Sequence, residues 1–174
     1  YVFADPATQT SKPVPAALRQ VLQGFEAGEA MVDVRVGDWA TLGAGAAPIR
    51  HAVFTHEQRI DAALDNDGAD AGAIHAVAFN RFGMALGTGR LLAQANGVGK
   101  IGRMAVIASL RGSSVGRQLL DALVQTARVR GDRELMLHAQ ASAVGFYRRH
   151  GWQPRGPAFE EAGIEHQEMA LPLT

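Results

Sequence analysis

Between Arg103 and Arg117 the chain reads Arg-Met-Ala-Val-Ile-Ala-Ser-Leu-Arg-Gly-Ser-Ser-Val-Gly-Arg, and this stretch constrains the fold more than any other. Met104-Ala-Val-Ile-Ala108 is apolar and partly β-branched, as the interior of a strand should be. Gly112, Ser113, Ser114 and Gly116 follow, small enough to leave backbone amides uncovered. Val115, Leu119, Leu120, Leu123 and Ala127 then recur at helical spacing as far as Gly131, which suits a left-handed helix end. The helix therefore begins inside the turn. Its first amides lack partners within the helix and lie at the positive end of its dipole, where a pyrophosphate is a natural guest. An ordinary strand-turn-helix corner shares this local pattern, so the rest of the chain must decide between the two.

Met31-Val-Asp-Val-Arg-Val36 alternates as a first strand, and Pro48-Ile49 with Ala52, Val53 and Phe54 predicts a first helix. Residues 61–72, acidic and rich in small side chains, read as a loop. Strands over 74–79 and 84–92 form a hairpin about Arg81-Phe82-Gly83. A strand over 101–107, the helix from about Gly116, and a strand over 135–138 come next. A short helix from Ser142 to His150 follows, with Ser142 as its cap and Gly151 as its end, and two tail strands complete the chain. The order predicts an α/β architecture, a mixed sheet flanked by helices. Gly97-Val-Gly-Lys-Ile-Gly102 fits the dinucleotide fingerprint Gly-x-Gly-x-x-Gly, with Asp121 near the distance of a ribose-binding acid. These glycines lead into a strand rather than a helix, and Asp121 lies within a helical pattern, so the match is rejected.

With 174 residues and 47% hydrophobic side chains, the chain is sized for one main core. Its formal net charge is zero and its basic residues are scattered, which argues against nucleic acid or an anionic membrane as partner. The absence of cysteine excludes thiol nucleophiles and thiolate metal sites and fits a reducing interior. Six histidines show no zinc-binding spacing, so no metal is expected. No signal-like or bilayer-length apolar run stands out, which makes a cytoplasmic protein the expectation.

The turn resembles the acyl-CoA-binding signature of the GNAT superfamily of N-acetyltransferases, Gln/Arg-x-x-Gly-x-Gly/Ala, with Arg111, Ser114 and Gly116 at the defined positions. Ser114 departs from the usual glycine. Ala141-Ser-Ala-Val-Gly-Phe-Tyr-Arg-Arg-His-Gly-Trp152 resembles the family's helix after the fifth strand, which carries a tyrosine beside the coenzyme sulfur. The resemblance covers roughly residues 31 to 171 and implies a GNAT-like acyl-CoA N-acyltransferase fold, with the fourth and fifth strands splayed apart. It implies direct attack of a primary amine, of a small molecule or peptide, on acetyl-CoA, without a covalent enzyme intermediate.

By the same resemblance, Tyr147 protonates the departing thiolate. Met104, Ala105 and Val106 offer backbone groups to the pantetheine arm, and Arg111, Gly112, Ser113, Ser114, Val115, Gly116 and Arg117 surround the pyrophosphate. Gln140 is the nearest analogue of an asparagine that contacts the coenzyme. The tail, with Glu-x-Gly-Ile-x-His ending at His166, resembles a small bacterial branch of the family and suggests that His166 lines the acceptor site.

The attacking amine must be neutral, and for a lysine-like amine of pKa about 10.4 deprotonation at pH 7 costs roughly 4.6 kcal/mol. His75 and His138 are candidate bases, with Glu57 and Gln140 as positioning groups. On a half-buried strand, a histidine is more often a hydrogen-bonded packing residue than a base.

Residues 1–30 form an N-terminal extension ahead of a domain spanning 31–174. Tyr1-Val-Phe-Ala-Asp-Pro suggests a strand, and Leu18, Val21, Leu22 and Phe25 give a short helix an apolar face. This stretch resembles the C-terminal end of a hotdog-fold acyl-CoA thioesterase, which implies a fused thioesterase domain; a plain extension fits equally well. The alternative function is accordingly a non-catalytic acyl-CoA-binding module attached to a thioesterase. The tail strands suit packing or a homodimer contact alike.

Overall fold

The computed structural model describes residues 3–173. Strands β1 (Phe3–Ala4) and β2 (Ser11–Lys12) form a small ribbon, followed by helix α1 (Ala16–Glu26). Tyr1 and Val2 of the expected first strand lie outside the described residues. Seven further strands are β3 (Val32–Gly37), β4 (Ile74–Asn80), β5 (Ala85–Gln94), β6 (Val98–Val106), β7 (Glu134–Gln140), β8 (Gln153–Glu161) and β9 (Ile164–Pro172). They make one sheet in the order β3-β4-β5-β6-β7-β9-β8, antiparallel except where β6 meets β7.

Helix α2 (Trp39–Arg50) covers one face of the sheet and helix α4 (Val115–Arg130) the other. The apolar stripe of α4 is the expected one: Val115, Leu119, Leu120, Leu123 and Ala127 are all buried. Each such leucine contributes about 1.5–3 kcal/mol by leaving water. Gly87 and Gly89 on β5 permit this close approach, because a Cβ there would stand 2.9 Å from Leu119 Cδ1 and 2.8 Å from Leu123 Cδ1 respectively. Gly131 ends α4 in the left-handed conformation, at φ +88°.

Helix α2 corrects the expected first helix, because it starts at Trp39 and contains Pro48 rather than starting there. Asp38 caps it by accepting a hydrogen bond from the Thr41 amide at 2.9 Å. A wider helical turn, His51–Glu57, continues from it, with i to i+5 geometry that is common near functional sites. The 61–72 loop contains the single turn α3 (Ala62–Asp65). Helix α5 (Val144–Arg149) is preceded by a tight turn that contains Ser142, so Ser142 is not its cap.

The site is made possible by how β6 and β7 part company. They pair only through Val98–Glu134, Gly99–Leu135 and Lys100–Met136. Beyond that, β6 stays with β5 and β7 stays with β9, which opens a wedge in the sheet. A bulge assists: Thr88 faces Ala105 and Arg90 faces Gly102, so Arg103 and Met104 of β6 stand opposite the single Gly89 of β5, one extra residue on β6. Arg103 at this bulge adopts φ +52°, a left-handed conformation uncommon for a non-glycine residue.

Candidate active site

The wedge between β6 and β7 opens into a cavity of about 550 Å³. Met104 and Ile101 from β6, Leu137, His138 and Gln140 from β7, and Tyr147 from α5 line it. The wide turn contributes Phe54, with Gln58 at its end, the tail hairpin contributes Glu161 and His166, and the 61–72 loop contributes Leu64, Asp65 and Asp67.

Tyr147 is 7% exposed and its ring meets Phe146 and Trp152 edge-on, at 5.0 and 6.0 Å between centroids. Among the described residues its hydroxyl has no hydrogen-bond partner, and burial pushes its pKa well above the ordinary phenol value. The group is therefore a protonated donor at neutral pH, facing a cavity.

His138 is held from the tail hairpin. Its Nδ1 lies 2.8 Å from Glu161 Oε2, and an ionised carboxylate only accepts, so Nδ1–H donates and the neutral ring keeps its lone pair on Nε2. Phe159 packs edge-on against the ring at 4.9 Å. Burial raises the Glu161 carboxyl, but the hydrogen bond and charge of His138 outweigh it and hold the carboxyl below its usual range. His166 reaches the same cavity with its Nδ1 2.8 Å from the Ile164 carbonyl.

His75 is the correction among the candidate bases. The pleat of β4 turns it toward α2, where it is 1% exposed, packs 4.9 Å from Trp39 and does not line the cavity. Its Nε2–H donates to the Asp70 carbonyl at 3.0 Å, so it is a satisfied packing residue. Gln140 does line the cavity and donates to Gln58 at 3.0 Å.

Along β6, the Ile107 amide donates to the Leu86 carbonyl. By strand alternation Ala105 likewise addresses β5, while Met104 and Val106 turn their backbone groups toward the open wedge. Ala105 packs its side chain on Ile49 and Val53.

The turn after β6 lies beyond the cavity lining, at the start of α4. Gly112 has φ +81°, Ser113 donates to the Leu110 carbonyl at 2.6 Å, and Ser114 accepts from Gln118 at 2.8 Å. Among the described residues, the Gly116 and Arg117 amides have no acceptor. Arg117 is exposed beside Asp121. Arg111 is otherwise committed than expected: its guanidinium grips both oxygens of Glu57 at 2.5 and 2.6 Å and donates to the Val106 carbonyl at 3.1 Å. Glu57 is likewise spoken for, its carboxyl lowered mainly by that hydrogen bond.

A charged network under the 61–72 loop escaped the sequence reading. Arg50 binds Asp65 and Asp70, Arg90 binds Asp67 and Asp70, and Arg103 binds Asp65 and Asp67. Arg50 and Arg90 are 2% and 4% exposed, so burial of their charge depends on these carboxylates. The one sequence signal was Arg90 itself, a charge inside an apolar strand. The Arg90 hydrogen bonds hold the Asp67 carboxyl far below its usual range. Burial raises Asp70, but the bonds from Arg50 and Arg90 prevail and lower it as well. Groups with depressed folded pKa values contribute stability that is present above the unfolded value of about 3.9 and lost as pH falls. The midpoint of urea denaturation should therefore be steady from pH 7 to 5 and fall below about pH 4; an unchanged midpoint at pH 3 would contradict this.

Residues 36–173 match the family model of the GNAT acetyltransferase domain. The uncharacterized N-acetyltransferase YjcF of Bacillus subtilis is 33% identical over 122 residues, spanning 70% of this chain and 86% of the relative. The crystal structure of Escherichia coli ElaA superposes with a TM-score of 0.72 at 28% identity, covering 80% of this chain and 99% of that one. An acyl-CoA N-acyltransferase from Pseudomonas aeruginosa gives 0.71 at 28% identity, over 80% and 98%. Together with the splayed strands, these similarities establish that the chain belongs to the GNAT family of acetyltransferases.

Proposed function

We propose that the chain transfers the acetyl group of acetyl-CoA to a primary amine bound in the wedge, with His138 as base and Tyr147 as acid. The observation that carries this reading is that His138, oriented by Glu161, and Tyr147, with an unengaged hydroxyl, line one cavity between the splayed strands. Acetyl-CoA supplies the activated acyl group. The residues suit it: the uncovered Gly116 and Arg117 amides at the start of α4 favour a pyrophosphate, and the open edge of β6 offers the Met104 backbone and the Val106 amide to an extended arm, the Val106 carbonyl being held by Arg111. An amide from that edge stabilises negative charge as it grows on the thioester oxygen. His138 Nε2 removes a proton from the amine, the new carbon–nitrogen bond forms as the carbon–sulfur bond breaks, and the Tyr147 hydroxyl protonates the departing sulfur. For Arg111 to join the phosphate site, its pair with Glu57 has to open.

Thiol release from acetyl-CoA, followed across a panel of amines, tests the proposal. His138→Gln should lower kcat about 100-fold, within the usual span for a lost general base. Wild-type activity in the variant would exclude His138 from proton transfer.

A further inference from the structure

We propose that the acceptor amine carries a carboxylate, which docks in an open bay over Gly102 between Lys100 Nζ and Arg90 Nε. This rests on the acetyltransferase reading of the wedge and names the substrate class. The cavity charges sort unequally. Both terminal nitrogens of Arg90 are taken by Asp67 and Asp70, Arg103 is held by Asp65 and Asp67, and Glu161 is held by His138. Lys100, half-buried and lining the same cavity, has neither an ion-pair nor a hydrogen-bond partner among the described residues. Arg90 Nε is likewise a buried donor without an acceptor.

The sheet register brings these two donors together. Arg90 faces Gly102 and Leu92 faces Lys100, so Arg90, Lys100 and Gly102 project from the same side of the sheet. Gly102 leaves the space between them open, since a Cβ built there would meet no heavy atom within 4 Å. An N–H buried without an acceptor at the edge of the bay, an ammonium that has no direct ion pair and meets the Glu161 carboxylate only through longer-range charge, and the absence of a side chain at Gly102 together suit an anionic oxygen. The bay disfavours a second cationic centre, as in a polyamine. The span also limits the acceptor. Met136 pairs with Lys100, and His138 stands two residues further along β7, about 6.6 Å from Met136 by strand geometry, with the spacing between the two diverging strands added to that. A carboxylate at Lys100 and an amine at His138 therefore belong to a single small amino acid.

Acetyl transfer should be measured for amino acids against their own carboxamides and against putrescine and spermidine. The best acceptor acid should exceed its amide at least tenfold in kcat/KM, mainly through KM. Lys100→Met should bring that ratio close to one, Lys100→Glu should turn preference toward diamines, and Gly102→Val should raise KM for the acid at least tenfold by filling the bay. Polyamines or amides as the best acceptors, or a ratio that survives Lys100→Met, would overturn the inference. Direct binding keeps the two readings separable. In calorimetry without acetyl-CoA, the N-acetylated form of each panel acid should bind at least tenfold more tightly than its N-acetylated amide, and Lys100→Met should abolish the difference. If no amine is acetylated but this difference appears, the acetyltransferase reading fails and the bay stands; if acetylation proceeds without any acid preference, the reverse holds.

Discussion

Replacing Tyr147 with phenylalanine should lower kcat by about 100-fold while leaving the Kd for acetyl-CoA within about twofold of wild type. The substitution deletes one oxygen and keeps the ring that packs against Phe146 and Trp152. That oxygen has no partner among the described residues, so no internal hydrogen bond is lost and the thermal midpoint should hold. Burial keeps the phenol protonated through neutral pH, as a proton donor to a leaving thiolate must be. A 100-fold loss corresponds to about 2.7 kcal/mol of transition-state stabilisation, the scale of a single general acid. Unchanged turnover on a confirmed acceptor would leave Tyr147 as a packing residue and return the proton to solvent.

Asp70→Ala should destabilise the fold by about 3–5 kcal/mol, the cost of stripping a buried cation of its partner. Asp70 bridges two guanidinium groups, accepting from Arg50 at 2.8 and 2.9 Å and from Arg90 at 2.8 Å. Without it both arginines stay buried, with only Asp65 and Asp67 to compensate them. The loop they anchor forms a wall of the acceptor cavity, so residual folded enzyme should also show a raised KM for the amine. Urea denaturation followed by circular dichroism checks the first effect. A loss below about 1 kcal/mol would mean that the network contributes shape rather than stability.

How legible this was from sequence depended on whether the signal was local. The strand, turn and helix around Gly112 could be read directly, because β-branched residues, small residues and a 3.6-residue apolar period follow one another without interruption. Tyr147 was singled out differently, by what the resemblance of its phrase between Ala141 and Trp152 implies rather than by periodicity. Helix α2 was missed at its start because glycine and alanine dominate the face it lays on the sheet. At Gly45 a Cβ would stand 3.0 Å from Phe79, so the small residues that permit close packing also erase the apolar stripe. The Asp38 cap was the overlooked sign. His75 and His138 looked equivalent as histidines on strands, and the register places both on the same face of the sheet; position across it separates them, one packed against Trp39 of α2 and the other at the wedge. The arginine–aspartate network joins residues up to 38 positions apart, and no periodicity encodes such pairings. Lys100 was hidden within the glycine pattern that was rightly rejected as a dinucleotide fingerprint.

The most direct test of the central claim is calorimetric titration of the folded chain with acetyl-CoA, with adenosine diphosphate as the control for phosphate contacts alone. The account predicts saturable one-site binding in the micromolar range, about −8 kcal/mol, and much weaker binding of the control because it cannot reach the open edge of β6. A folded sample that binds neither ligand, or binds both equally, would contradict it.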